Sequence, residues 1–188
     1  MSIPKEAPPA KLIVGLLFRD PETAREVLDE LSGRFGPLDF LSEPIPFTFT
    51  SYYDRELGEG ILRRTGSFAE LVAPETLPDI KLFTNALERR LSRDGKRTVN
   101  IDPGLLTEER VVLATGKNFT HRIYLRDGIY ADLTLLYQKG AFQALPWTYA
   151  DYRTPAILHL LGALRRKLLL ERTGRLPHAN SKPQGESP

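Results

Sequence analysis

Hydrophobic positions change their period along the chain, and the changes mark alternating strands and helices. Lys11 to Phe18 is apolar on both alternating faces, the pattern of a central strand covered on two sides. Asp20 then reads as an N-cap and Pro21 as the first helical residue; Ala24, Val27, Leu28, Leu31 and Phe35 form one stripe before Gly36 and Pro37 stop the helix. Phe40 and the segment 47–53 read as extended, separated by a kink at Pro44-Ile45-Pro46, and 61–68 reads as a further strand. A second helix is predicted from Pro78 to Leu91, burying Ile80, Phe83, Leu87 and Leu91.

The second half of the chain is patterned as finely. Thr98 to Asp102 alternates, with Val99 and Ile101 on one face and Thr98, Asn100 and Asp102 on the other. Pro103-Gly104 reads as the centre of a type II turn, and Thr107 to Lys117 as a short helix with Glu108 and Glu109 early and Lys117 late. His121 to Leu145 reads as a three-stranded antiparallel meander. A loop of Arg126-Asp127-Gly128 with Gly128 left-handed sets Ile123 opposite Ala131 and Leu125 opposite Ile129, which segregates the two faces. The same register sets Arg122 opposite Asp132 and Tyr124 opposite Tyr130, cross-strand pairs each worth a few tenths to about 1 kcal/mol. Lys139-Gly140 as a two-residue turn aligns Tyr137 with Phe142 and Leu135 with Ala144. Thr154 caps, and Pro155 starts, a last helix burying Ile157, Leu160, Leu161, Leu164 and Leu168.

Together these elements predict an α/β or α+β fold: a single-domain sandwich in which helices cover a mixed, largely antiparallel sheet that includes the C-terminal meander. Residues 11–172 form the expected domain. Residues 1–10 and 173–188, rich in proline and polar residues without periodicity, are expected to be disordered flanks.

Composition narrows the chemistry. The chain has 188 residues, 26 Lys and Arg against 24 Asp and Glu, and no Cys. Disulfides, zinc ribbons, iron–sulfur clusters and cysteine nucleophiles are therefore excluded. The longest apolar run, ending at Phe18, is far below the ~20 residues of a membrane span, so the expectation is a cytoplasmic protein that does not contact membranes. A net charge of +2 lacks the basic signature of a nucleic-acid domain.

The predicted register gathers Arg122, Tyr124, Tyr130, Asp132 and Thr134 on one sheet face, which Asn100 and Asp102 extend if their strand joins the sheet. Such a face suits polar-ligand binding, acid–base work or a hard cation; the alternative is a solvated face of cross-strand pairs. The segment Pro146 to Tyr152 concentrates Trp147, Tyr149, Asp151 and Tyr152 before the last helix, either walling a site or capping that helix. Of the three histidines, His159 falls inside the last helix and His178 in the tail. His121 starts a strand beside Arg122, where it serves as a general base or phosphate donor or plays a structural part. No two histidines have metal-ligand spacing, so no zinc site is expected and no residue is assigned as a metal ligand.

Phosphate-loop signals fail: Val111 stands where a P-loop needs Gly, Asn118 where it needs Ser or Thr, and there is no GxGxxG. Asn100-Ile101-Asp102 has the wrong spacing for the Asn-x-x-Asp pattern of GTPases. Basic runs at Arg89, Arg90, Arg93, Lys96 and Arg97, and at Arg165, Arg166, Lys167, Arg172 and Arg175, sit at helix ends. There they offset the dipole or make an RNA footprint.

Five blocks carry a family resemblance: Val14 to Asp20, Ile80 to Asn85, Asn100 to Gly104, Lys117 to Tyr124 and Leu145 to Tyr149. In order and spacing they resemble a bacterial family of uncharacterised proteins, domain-of-unknown-function family 4416, over nearly all of Lys11 to about Leu170. Some of its members are labelled GTP-binding proteins, which makes GTP one candidate ligand. The resemblance supplies no catalytic residues and leaves the chemistry, any cofactor included, open.

Three functions are expected from these residues. The first is binding of a nucleotide or other phosphorylated small molecule, with Asn100, Lys117, Arg122, Tyr124, Tyr130 and Trp147 as ligand contacts. The second is an enzyme using Asp102 and Asp132, with His121, as acid–base groups, Mg²⁺ assisting in one version. The third is an RNA or protein interaction module built on the basic helix ends, which requires those ends to form one patch.

Overall fold

The computed structural model describes residues 1–175. Its strands are β1 (Ala10–Phe18), β2 (Leu38–Leu41), β3 (Ile45–Pro46), β4 (Leu62–Val72), β5 (Val99–Leu106), β6 (Arg110–Thr115), β7 (Arg122–Arg126), β8 (Ile129–Gln138) and β9 (Ala141–Ala144). Its helices are α1 (Pro21–Phe35), α2 (Asp54–Leu57), α3 (Leu77–Arg90) and α4 (Pro155–Thr173). The strands form one nine-stranded sheet in the order β2-β4-β1-β5-β6-β8-β7, with β3 added on β4 and β9 on β8. The architecture is α+β.

Every residue of β1 is buried because both faces of the sheet are covered. Leu12, Val14, Leu16 and Phe18 pack with Val99 and Ile101 against Ala24, Val27, Leu28 and Leu31 of α1 and Ile80 and Leu87 of α3. On the other face Ile13, Leu106, Val111, Leu113, Leu135 and Phe142 pack against Ile157, Leu161, Leu164 and Leu168 of α4. The basic ends of α3 and α4 therefore lie on opposite faces and do not form one patch.

The helix caps follow the sequence. Asp20 accepts hydrogen bonds from the Glu22 and Thr23 amides with Pro21 at the first turn of α1, and Thr154 accepts from the Ile157 amide with Pro155 opening α4. In α3 the apolar stripe is accompanied by buried Lys81, Thr84 and Glu88.

The meander keeps the expected register, with Arg122 opposite Asp132, Ile123 opposite Ala131 and Tyr124 opposite Tyr130. The device differs from expectation. Asp127 and Gly128 both take positive φ, 54° and 75°, as a two-residue turn, and a bulge at Leu125 puts Arg126, not Leu125, opposite Ile129. The second turn holds as expected, with Lys139 and Gly140 left-handed and Tyr137 opposite Phe142.

Three local expectations are corrected. Residues 107–117 are not a helix: Thr107 organises a tight turn, accepting from the Glu109 and Arg110 amides, and Arg110–Thr115 run on as β6. Val111 and Leu113 face one side and Val112 and Ala114 the other, all packed, so period-two burial overrides the helix-like charge order. Pro103-Gly104 is not a turn but the middle of β5. Gly104 is required there by close approach, since a Cβ would meet Leu113 Cδ2 at 2.6 Å and the Val112 carbonyl oxygen at 2.7 Å. Finally, 47–53 is not a strand; the supposed kink Ile45–Pro46 is itself the short strand β3, paired with Arg63 and Leu62.

Residues 1–9 have no regular secondary structure. At the other end α4 runs through Thr173, with Gly174 as its left-handed cap, and the predicted tail from residue 176 on, including His178, lies outside the described residues. Among the described residues, no helix is long and apolar enough to cross a membrane.

Candidate functional site

Sheet register places most of the predicted residues on the face covered by α4. Gly104 of β5 lies opposite Leu113 of β6, which lies opposite Asp132 of β8, which lies opposite Arg122 of β7. Asp102 and Asn100 precede Gly104 in steps of two, so Asn100, Asp102, Asp132, Tyr130, Arg122 and Tyr124 share that face. Toward one end the sheet opens: β5 pairs with β6 only from Gly104 to Leu106, leaving the outer edge of Val99–Pro103 without a strand among the described residues. Side chains from α3 take the strand's place. Glu88 Oε1 accepts from the Ile101 amide at 2.6 Å, and Lys81 Nζ donates to the Ile101 carbonyl at 2.8 Å.

One cluster centres on Asp132, which is 2% exposed. Its Oδ2 accepts from Arg122 Nε at 2.8 Å and lies 3.2 Å from His121 Nε2. Arg122 spends its other nitrogens on the Lys117 carbonyl at 3.0 Å and the Tyr149 hydroxyl at 2.8 Å, so the guanidinium is fixed by three acceptors on three segments. His121 is stacked on Trp147 with centroids 4.9 Å apart and meets Phe119 edge-on. Its Nδ1 is buried without a hydrogen-bond partner among the described residues. Trp147 Nε1 donates to the Leu133 carbonyl at 2.7 Å, anchoring the loop before α4 to β8.

A second cluster lies at the open end of β5. Asn100 Nδ2 donates to Asp102 Oδ2 at 2.6 Å, and Arg97 Nη1 donates to Asn100 Oδ1 at 2.8 Å. Arg97 also pairs with Glu56 and Glu88, and Lys81 Nζ lies 3.7 Å from Asp102 Oδ1. Burial pushes the Glu88 carboxyl up, against the pull of Lys81, the Ile101 amide and Arg97. Burial likewise raises the phenols of Tyr53, Tyr149 and Tyr152, and the Asp102 charge adds to the rise in each. Tyr149 also feels Arg122, from which its hydroxyl accepts, and Asp132, so its phenol responds to charges of both clusters.

Two further contacts complete the rim. Lys117 Nζ donates to the Tyr52 hydroxyl at 2.8 Å and sits over that ring at 4.9 Å; the bond and the nearby charge hold the phenol below its ordinary range. Beneath the loop, Arg63 of β4 is 3% exposed, ion-paired with Asp151 and stacked on Tyr152 at 4.5 Å. Among the described residues its Nε and Nη2 have no hydrogen-bond partner.

Thus His121, Arg122, Asp132 and Trp147 come together, Lys117 joins them at the rim, and Asn100 and Asp102 form a neighbouring group reached through Tyr149. Tyr124 and Tyr130 pack on each other at 5.2 Å and form no hydrogen bond with either cluster. His159 is exposed on α4, outside both. Tyr53, Arg63, Lys81 and Glu88 were not legible as site residues. The alternation Arg63, Thr65, Ser67 reads as a wet strand face, but α4 and its preceding loop bury all three. Two surface hollows, of about 720 and 430 Å³, lie along α1 and beside β3, and neither is lined by a predicted site residue. Among the described residues, no group of three or more His, Asp or Glu is placed to hold a metal ion.

No curated protein and no solved structure matches the chain. A family model does: it covers residues 8–168, which include both clusters, Arg63 and the rim, and by that match the chain belongs to the family described as Domain of unknown function (DUF4416).

Proposed function

We propose that the protein binds a small anionic molecule at the rim formed by Lys117, Arg122 and Tyr149, a phosphorylated nucleoside being the ligand class that fits best. The observation that carries this reading is the fixation of Arg122. A buried carboxylate, a backbone carbonyl and a phenol hold its guanidinium in one place, which removes the ordering cost of recruiting a mobile side chain to an anion. Lys117 supplies a second cation at the same rim. Trp147, Phe119 and Tyr149, each between 39 and 61% exposed, offer aromatic faces for a flat ring. In this reading Asp132 and His121 are positioning residues, and Asn100 with Asp102 supplies polar contacts on the far side of Tyr149.

The acid–base reading draws less support. Asp102 and Asp132 do share a sheet face, but Asp132 is sealed by Arg122 and His121, and both ring nitrogens of His121 are turned inward. GTP stands as one member of the nucleotide class.

Thermal-shift measurement tests the proposal with nucleoside mono-, di- and triphosphates, and inorganic phosphate as the bare-anion control. A ligand at 100 times its Kd adds about 2.7 kcal/mol, which raises Tm by roughly 5–10 °C for a chain of this size. Arg122→Gln and Lys117→Gln should each reduce the shift, and isothermal titration should show the same ranking. If no nucleotide raises Tm, the proposal fails.

A further inference from the structure

Between β3 and β4 the chain leaves the sheet and returns. The excursion from Thr48 to Gly60 is closed at its base by a backbone bond, the Phe47 amide donating to the Ile61 carbonyl at 2.8 Å. A loop whose ends meet in this way is an Ω-loop. The backbone hydrogen bonds of Ser51 to Gly58 stay inside the segment. Within it only Leu57 is buried, against Leu17 of β1, with Tyr53 half-buried in the same cluster. A hollow of about 430 Å³ is lined by both limbs of the loop, Thr48, Ser51 and Asp54 on one and Glu59 and Gly60 on the other, so the segment is not packed solid. The returning limb carries Gly58 and Gly60 at φ 84° and 77°, where a hinge is cheapest. Two polar clasps hold the rest: Lys117 Nζ donates to the Tyr52 hydroxyl at 2.8 Å, and Arg97 Nη2 to Glu56 Oε2 at 2.5 Å.

The clasps fall on cations of both clusters. Lys117 stands at the rim, its carbonyl accepting from Arg122, and Arg97 donates to Asn100 beside Asp102. Arg97 foremost, and Lys117 with it, holds the Glu56 carboxyl below its ordinary range. A phenol oxygen and a carboxylate thus occupy the donors that an anionic ligand would use. We infer that residues 48–60 are a strap across the anion site, with Tyr52 and Glu56 standing in for the ligand. A phosphate oxygen must take Lys117 from Tyr52 before the site can fill, and taking it loosens the strap. The loosened strap frees Arg97 Nη2 as well, while Nη1 stays on Asn100 and Glu88. This inference rests on the reading of the rim as an anion site and adds that the empty site is held shut from within.

Limited proteolysis and titration test it together. Arg55 lies exposed in α2, and trypsin needs the segment pulled open, so the rate of cutting after Arg55, identified by fragment mass, tracks the open population. Tyr52→Phe keeps the ring and removes the bond to Lys117. Without ligand it should speed that cut about fivefold, with the thermal midpoint nearly unchanged because Tyr52 is exposed. Isothermal titration with ATP and GTP should show Tyr52→Phe binding tighter by a similar factor, since apparent affinity scales with the competent fraction. Glu56→Gln should tighten binding in the same direction, and saturating nucleotide should speed the cut in the wild-type chain. If Tyr52→Phe is cut at the wild-type rate, or only in urea that unfolds the whole chain, the inference is overturned. It is also overturned by a nucleotide that wild type and both variants bind equally, a result that leaves the rim reading standing. If no chain binds ATP or GTP, the rim reading falls and the strap's part as its gate falls with it.

Discussion

Lys11 is fully buried in β1, and what surrounds it fixes a measurable share of stability. Its Nζ donates to Asp39 Oδ2 at 2.7 Å and the Phe68 carbonyl at 3.0 Å, and lies 3.1 Å from Glu171 Oε2. Asp39 in turn accepts from Ser67 and pairs with Lys167, so the cluster ties β1, β2 and β4 to the last turns of α4. Asp39→Asn would leave a buried ammonium with one partly wet carboxylate. Breaking a buried pair costs 3–5 kcal/mol, and the surviving Glu171 places this case at about 3 kcal/mol, a fall in Tm of roughly 6–12 °C. The pH dependence gives an independent check. Burial works to raise the Asp39 carboxyl, and hydrogen bonds from Lys11, Lys167 and Ser67 outweigh it, holding it down to about 2. A carboxylate depressed in the folded state stabilises fully above its unfolded value near 4, and that stability drains away as pH falls toward 2. The full shift corresponds to ~2.5 kcal/mol, and solvent reaching Lys167 and Glu171 reduces this to about 1–2 kcal/mol. Urea denaturation from pH 7 to pH 2 should therefore show the wild-type advantage over Asp39→Asn shrinking below pH 4. Lys11→Met/Asp39→Asn should recover part of the loss because the stranded ammonium is gone. The reasoning is refuted if Asp39→Asn lies within about 0.5 kcal/mol of wild type at pH 7, or if the gap does not change with pH.

Other substitutions probe separate parts of the molecule. Gly104→Ala drives a methyl against the Val112 carbonyl, which cannot swing aside, and should cost about 2–3 kcal/mol by chemical denaturation. Glu88→Ala removes an acceptor of the Ile101 amide and should cost ~2 kcal/mol while speeding exchange of that amide; Glu88→Gln, which keeps an acceptor, should lose less. Thr154→Ala removes the α4 cap and should lower stability by about 1 kcal/mol without altering tertiary packing, as read by near-ultraviolet circular dichroism.

Elements with a repeating apolar period were legible in the residues: α1 and α4 with their caps, β1, and the meander register that pairs Arg122 with Asp132. Segments where local chemistry and long-range burial disagree were not. Thr107 to Lys117 carries helix-like charge order, and only the covering of both its faces by other segments reveals it as a turn and a strand. Gly104 follows a proline, as a turn glycine does, yet its use is to let β6 come close. The site divides the same way. Clustering of Arg122 with Asp132 follows from strand register, a two-residue rule that sequence can apply; His121 joins them from the turn before β7, where that rule does not reach. Arg63, Lys81 and Glu88 enter through helix packing on the sheet, which no spacing along the chain announces, and polar alternation in β4 hides that α4 buries it.

Where β5 leaves β6, the sheet has an interior frontier as well as its outer ones. The β2-β4-β1-β5 strands and the β6-β8-β7 strands are stitched by the pairs of Gly104, Leu105 and Leu106 alone, and beyond them Glu88 and Lys81 occupy the bare ladder positions of Ile101. Those two side chains act as guards: while they sit there no foreign strand can add to β5, and the gap stays open beside Asp102 and Tyr149. Loss of Glu88 would convert that gap into a sticky margin, so its replacement should show in solubility and aggregation during expression before it shows in any binding measurement.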